Sequence, residues 1–451
     1  MKRKVCLTLM LVVWFAAGAA RAEEPDPAEG PEREEILRIL RDLEARIRAL
    51  EDRIRGMQEA GAAVAEIAEL QRRIDLLTRE LERQKLGEAA GPEGLESRYG
   101  LGPAASRVYG VEPGVSIGGY GEGLFESFDT KTDQFDLLRA VLYFGYKFND
   151  RILFNSEIEF EHASTGKGGE ASAEFAYLDF LLHPAVNLRS GLLLTPVGFL
   201  NELHEPPIFL GARRPDVERV ILPTTWRENG AGVFGGFGPF SYRAYLMNGL
   251  RASKFKAGTG LRDGRQSGAR ALAEDFALVG RLDWGPGKGF LLGGSFYRGD
   301  SGQGEVGSSG PPLPDAQVTL WDLHTEWKSK GWQFRGLYAE AEVEDTPAIF
   351  AATGEGIGEK MVGWYGEAGY DLLSTGRTDQ ALIPFLRYEE YNTQDEVVAP
   401  AASPANDVEV VTFGVGYRPI LQVMLKADFQ DFENAMGTGA DQLNFAVTWL
   451  F

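Results

Sequence analysis

From about Val115 to Phe451, apolar and polar side chains alternate with a period of two. That is the period of a β-strand with two unlike faces, and no other feature constrains this chain as much. Leu443, Phe445, Val447, Trp449 and Phe451 share one face, while Gln442, Asn444 and Thr448 share the other. Leu421, Val423, Leu425, Ala427 and Phe429 alternate with Gln422, Lys426, Asp428 and Gln430. Val411, Phe413, Val415 and Tyr417 alternate with Thr412, Gly414 and Gly416. Ile152, Phe154, Ile158 and Phe160 do so with Asn155, Glu157, Glu159 and Glu161, and Phe276, Leu278, Leu282 and Trp284 with Arg281 and Asp283. A soluble sandwich alternates too, so further features have to separate it from a membrane barrel.

The connections supply them. Tight turns are predicted at Asn149-Asp150, His183-Pro184, Gly238-Pro239, Gly285-Pro286, 328–331, 373–380 and Arg418-Pro419. Between them lie longer polar loops near 129–133, 162–170, 196–227, 249–273, 299–315, 344–358, 392–406 and 432–440. Short turns alternating with long loops are the layout of outer-membrane barrels, as is an even number of strands. The segments between these connections predict about 16 strands, each with room for the roughly 10 residues that cross a bilayer. Phe148, Trp284, Tyr417 and Trp449 fall at predicted strand ends, where aromatic girdles belong, and the last strand closes on Phe451. The expected fold is an all-β transmembrane barrel of about 16 antiparallel strands over 114–451, preceded by a short α-helical coiled coil.

The N-terminal region has a different character. Lys2, Arg3 and Lys4 form a basic start, Val5 to Ala17 an apolar stretch, and Ala20-Arg21-Ala22 a cleavage site, so 1–22 is expected to be a signal peptide. The apolar run is shorter than the roughly 20 residues of a spanning helix. Cys6, the one cysteine, lies inside it, so the exported chain would carry no disulfide or Cys-ligated metal. Residues 23–33 are an acidic, Pro-rich tether. From 34 to 87, Ile36, Leu40, Leu43, Ile47, Leu50, Ile54 and Met57, then Ile67, Leu70, Ile74, Leu77 and Leu81, form two heptad seams out of phase by one residue. A break is expected near Gly61; an uninterrupted helix would run roughly 75–80 Å at 1.5 Å per residue. Residues 88–113 are expected to be a Gly/Pro linker. Removing Lys2, Arg3, Lys4 and Arg21 would leave 42 basic residues against 66 acidic ones, a net of −24. That balance argues against a nucleic-acid partner, which needs a basic footprint.

Several stretches are similar to the phosphate-selective porin O and P family: Gly118-Gly119-Tyr120-Gly121-Glu122, Leu138-Arg139-Ala140 and Pro384-Phe385-Leu386-Arg387-Tyr388-Glu389. The long loop matches best, with Glu205-Pro206-Pro207, Arg214-Pro215 and the run from Leu222 to Gly230. The resemblance covers about 115–451. It implies a homotrimeric 16-stranded channel whose third long loop folds inward as a constriction, and a coiled coil before the barrel also occurs in that family. Phosphate selectivity in that family rests on dense luminal Arg and Lys, and this sequence departs from that.

Alternation places Arg139, Arg189, Arg243, Arg281, Arg335, Arg387 and Lys426 inward, with Glu122, Glu157, Glu159, Asp179, Asp283, Glu389 and Asp428 facing the same space. A pore lined by one sign selects the other; a balanced lumen predicts weak selectivity. The 196–227 loop is mixed as well: Glu202, Glu205, Asp216 and Glu218 stand against Arg213, Arg214, Arg219 and Arg227. With wall residues Arg139, Arg189, Arg243, Arg281 and Arg387 they form the candidate charge filter, the loop's acids facing wall arginines; pinning of the loop is the plainer role for the same charges. The 249–273 loop carries Arg251, Lys254, Lys256, Arg262, Arg265 and Arg270, suited to anions or lipopolysaccharide phosphates or simply to solvent. His162, His183, His204 and His324 show no metal-ligand spacing and no Ser/His pair stands out, so neither an enzyme nor a cofactor is expected. The expected function is an outer-membrane porin passing small hydrophilic solutes or ions, anions such as phosphate among them. The alternative is a barrel that anchors the cell wall through its periplasmic coiled coil. Expected partners are outer-membrane lipid and lipopolysaccharide, with peptidoglycan or a periplasmic protein met by the coiled coil.

Overall fold

The computed structural model describes residues 96–306, 311–376, 378–398 and 401–451, and in the N-terminal region residues 38, 41–42, 44–52, 71–74 and 76–78. The expected signal peptide, the tether, the break near Gly61 and the linker's first residues lie outside the described residues. Two compact units divide the chain, one over Met10–Glu93 and one holding Gly94–Phe451. In the first, 44–52 and 71–74 are helical, and Asp42 and Arg46 pair one turn apart at 2.7 Å. Arg46, Ala49 and Leu50 line one cavity with Arg73, Leu76 and Leu77. Those two groups would stand roughly 40 Å apart along one straight helix at 1.5 Å per residue. The helical pieces are therefore side by side, and the single long rod is not what forms.

The second unit is a closed antiparallel barrel of 16 strands. The first eight are β1 (Gly114–Phe128), β2 (Gln134–Asn149), β3 (Ile152–Glu161), β4 (Ala171–His183), β5 (Val186–Leu194), β6 (Arg227–Phe237), β7 (Phe240–Asn248) and β8 (Phe276–Gly287). They are followed by β9 (Phe290–Gly299), β10 (Val318–Ser329), β11 (Trp332–Val343), β12 (Lys360–Tyr370), β13 (Ala381–Glu396), β14 (Asp407–Ile420), β15 (Val423–Asn434) and β16 (Gln442–Leu450). Each strand pairs with its sequence neighbours, and β1 closes on β16 from Tyr120↔Leu450 to Phe128↔Gln442.

Lipid explains why the pattern is so regular. A Lys or Arg on the lipid face near mid-bilayer costs about 2–4 kcal/mol, so outward positions stay apolar. Phe144, Phe160, Leu178, Leu246, Leu278, Leu282, Phe296, Leu323, Trp364, Leu386, Phe413 and Val447 are all exposed on the exterior. Two turns shift from their expected places: Arg418 and Pro419 stay within β14, whose pairing with β15 slips between Tyr417 and Ile420, and the chain reverses at 421–422. Gly285 and Pro286 likewise stay within β8, and the chain reverses at Lys288 and Gly289, both with positive φ (59° and 72°). Proline has no N–H for the ladder, and the β8–β9 register slips between Trp284 and Gly287.

The seam between first and last strands rests on close approach. Gly119 and Phe451 exchange both backbone hydrogen bonds at 2.9 Å. A Cβ at Gly119 would stand 2.7 Å from the Phe451 ring, and one at Gly121 2.1 Å from the Trp449 ring. Only glycine lets those two rings cover β1.

Candidate functional site

The barrel interior is where alternation collects the charged residues, and the segment between β5 and β6 touches most of its circumference. Gly198 N donates to Asp322 on β10 at 3.0 Å, and Gly198 O accepts from Arg281 on β8. His204 Nε2 lies 3.0 Å from Glu157 on β3. Lys426 on β15 donates to Pro206 O and Gly211 O at 2.7 and 2.8 Å, its ammonium 3.8 Å from the Phe209 ring centroid. Ala212 N reaches Asp428, also on β15, and Arg213 Nε lies 2.6 Å from Glu126 on β1. Val217 N donates to Glu389 on β13 at 3.2 Å. Trp226 packs on Tyr297 of β9 with ring centroids 4.8 Å apart. The segment thus meets side chains on seven strands.

Its charged residues find partners of three kinds. Glu202 stands beside wall arginines, 3.4 Å from Arg243 and 3.8 Å from Arg281. Glu205 and Glu218 do not: both are buried and both accept backbone N–H groups. Glu205 takes those of Ala104 and Ala105 at 3.3 and 3.0 Å. Glu218 takes those of Phe199 and Leu200 at 2.9 and 2.6 Å, with the Tyr365 hydroxyl of β12 at 2.7 Å. Asp216 pairs locally with Arg219, at 2.9 Å within the short helix Asp216–Val220. Arg214 donates to His204 O at 3.3 Å, and Arg227, the first residue of β6, reaches Glu174 at 2.6 Å.

The wall arginines are paired too. Arg139 stands 3.3 Å from Glu122 and 3.4 Å from Glu159. Arg189 lies 2.8 Å from Asp179, its guanidinium stacked between Tyr177 and Phe234 at 4.1 and 4.5 Å from their ring centroids. Arg243 and Arg281 share Asp283 at 2.7 and 2.9 Å. Arg335 meets Glu326 at 2.6 Å, and Arg387 meets Glu389 at 2.7 Å and Glu367 at 3.4 Å. His324, expected near a strand end, sits inside β10 between Asp322 and Asp283, at 2.5 and 2.9 Å. Among the described residues, no group of three His, Cys, Asp or Glu could hold a metal ion.

Two features escaped the sequence. Asn201 ties both ends of the 195–226 segment, its amide N 2.6 Å from Thr195 O and 2.8 Å from Trp226 O, its carbonyl accepting from Trp226 N at 2.6 Å. Lone asparagines in loops carry no signal that separates this role from an ordinary turn. The other is the stretch read as linker. Over 96–110 it lies against the inner wall, with Leu101, Ala104, Ala105, Ser106 and Val108 all buried. The interior is accordingly fuller and more apolar than a plain water channel requires, with Tyr120, Tyr143, Phe175, Tyr245, Tyr297 and Met361 buried on inward positions.

The basic 249–273 loop is mostly engaged. Arg251 pairs with Glu305 and Lys256 with Glu355. Arg262 donates to Arg219 O and Thr224 O, and Arg265 to Pro223 O and Thr225 O. These two lock onto carbonyls of the 195–226 segment, with Asp263 near both and Glu174 and Glu228 near Arg265. Burial, then the guanidiniums of Arg265, Arg219 and Arg214, lower the Arg262 pKa.

Fold and interior together define a porin-like barrel. No protein-family profile matches the chain. It belongs to the same family as an uncharacterized protein of Aquifex aeolicus (strain VF5), 39% identical over 383 residues, which are 81% of this chain and 86% of that protein. Among solved structures, the outer membrane channel DcaP of Acinetobacter baumannii has a TM-score of 0.51 and 15% identity, over 75% of this chain and 97% of that one. The trimer form of Vibrio cholerae OmpT, an outer membrane protein, has a TM-score of 0.48 and 12% identity over 76% and 100%. The DcaP match is a likeness of fold.

Proposed function

We propose that this protein is an outer-membrane channel for passive diffusion of small hydrophilic solutes and ions, with the 195–226 segment as its constriction. One observation carries the proposal: a closed barrel with an apolar exterior holds buried charged groups on its inner face. Arg139 stands there beside Glu122 and Glu159, and Arg243 beside Glu202, in ion pairs of 3.3–3.4 Å that lack hydrogen-bond geometry. Buried polar groups are normally satisfied by protein or water, so these favour a wet interior. Pairing of the wall arginines favours weak selectivity. The pair Arg262 and Arg265, held by backbone carbonyls rather than in ion pairs, tilts it toward anions, phosphate included, in keeping with the phosphate-selective porin resemblance. The proposal includes a homotrimer in lipid and lipopolysaccharide, and a periplasmic coiled coil that meets peptidoglycan or another periplasmic partner.

The filled interior favours a second reading, a barrel that only anchors the N-terminal region to the envelope. Planar-bilayer recording separates the two. A channel gives discrete conductance steps and a small reversal potential toward the anion side in a salt gradient, whereas an anchor gives no steps. Replacing chloride with phosphate should leave a measurable current; abolition of current would remove phosphate from the solutes.

A further inference from the structure

Residues 96–110 fit the inner wall too closely for a slack tether. Arg107–Tyr109 form a single 3-10 turn. A Cβ at Gly145 on β2 would stand 2.7 Å from a Val108 methyl, so the missing side chain is a notch for Val108. Asn155 on β3 donates to Ala105 O at 2.9 Å. The Tyr109 hydroxyl donates to Asp179 on β4 at 2.6 Å and accepts from Arg189 on β5 at 2.8 Å. Asn149, Arg151, His183 and Val186 bound the short turns of these strands, so the segment fills the short-turn end on the β2–β5 side. Across the barrel at that end, Glu326 and Lys328 keep side-chain exposures of 21% and 44%. The filling is one-sided. Glu205 ties this segment to the 195–226 loop, its carboxylate spanning the Ala104 and Ala105 N–H groups. It lies so near that a Cβ at Gly102 would stand 2.3 Å from it.

We infer that residues 96–110 are a displaceable plug, latched to the constriction loop by Glu205, and that its release widens the passage. The inference rests on the channel reading. Glu205 acts as a positioning residue: without its carboxylate two buried N–H groups lose their acceptor, and the plug loses this tie to the loop.

Single-channel recording on the full chain with Cys6 replaced by Ser tests it. Glu205→Ala should raise conductance or open probability severalfold, and Glu205→Gln, which keeps one acceptor oxygen, should fall between Ala and the parent. In a second variant, Ala105→Cys with Asn155→Cys joins plug to wall; oxidation should hold the small conductance in the Glu205→Ala background, and a reductant should restore the large one. A folded Glu205→Ala protein conducting like its parent overturns the plug while leaving the channel intact. Large conductance that persists in the crosslinked protein also overturns it. Absence of conductance from the parent and every variant overturns the channel reading and the plug with it.

Discussion

Glu218 allows the hold on the 195–226 segment to be weighed. Its carboxylate is fully buried and accepts three hydrogen bonds, two from the segment's own backbone and one from Tyr365 on the wall. A hydrogen bond to a charged group contributes about 1.5–3 kcal/mol, and stranding a buried donor costs about 1–3 kcal/mol. Tyr365→Phe removes a donor together with its bond, for about 1–2 kcal/mol. Glu218→Gln keeps the shape but turns an amide donor toward other donors, for about 2–3 kcal/mol. Glu218→Ala strands two N–H groups and a hydroxyl beside a cavity, for about 4–5 kcal/mol. Each 1.4 kcal/mol is tenfold, so the released form should rise about tenfold in Tyr365→Phe and about a thousandfold in Glu218→Ala. The strand ladder is untouched and the barrels should stay folded. Trypsin reads the release at Arg213 and Arg219, because cleavage tracks the open population when reclosing is fast. Nicking should quicken in the order parent, Tyr365→Phe, Glu218→Gln, Glu218→Ala. A folded Glu218→Ala barrel cut no faster than the parent would refute the reasoning.

Replacing Arg213 and Arg214 together with Ala should raise single-channel conductance, because both side chains project from the proposed constriction; unchanged conductance would leave those arginines a pinning role alone. Asn201→Ala removes three hydrogen bonds that tie the segment's two ends and should speed tryptic nicking to nearly the rate of Glu218→Ala, while heat-modified gel mobility shows the barrel intact. Gly121→Val would put a side chain where the Trp449 ring lies, so the share of protein reaching the compact, heat-modifiable form should drop sharply; normal yield would show that the seam tolerates displacement of that ring.

The barrel was legible in the sequence and its filling was not, for one physical reason. Lipid imposes a single rule on every outward residue, so Leu278, Leu282 and Trp284 announce their face without knowledge of any partner. Inward residues obey no such rule. Val279, Tyr297 and Met361 are inward and apolar in a core shared with long-loop residues such as Trp226 and Leu250, and nothing local names the residues that cover them. The candidate site divides the same way. Arg139, Arg189, Arg243, Arg281 and Arg387 were placed inward by period alone. The partners of Glu205 and Glu218 are backbone N–H groups, which every residue but proline carries, so no side-chain pattern could have named them. Residues 96–110 read as a linker from their glycine and proline, yet Gly100 and Gly102 are small because Arg243 and Glu205 press against them.

Pairing along the wall also decides where selectivity can arise in a channel of this kind. Breaking a buried ion pair by removing one partner costs about 3–5 kcal/mol, so Arg243, which shares Asp283 with Arg281, cannot swing out to escort a passing ion. To that ion the triad of Arg243, Arg281 and Asp283, with Glu202 nearby, presents two charges of each sign. Arg262 and Arg265 differ: carbonyls hold them in place without cancelling their charge. Arg262→Ala with Arg265→Ala should therefore move the reversal potential toward the cation side. Arg243→Ala should loosen the 195–226 segment, raising current noise and tryptic nicking, with a smaller change in reversal potential. If Arg243→Ala shifts the reversal potential more than the double variant does, the wall pairs are open to the passing ion and the filter lies inside the barrel rather than on the 249–273 loop.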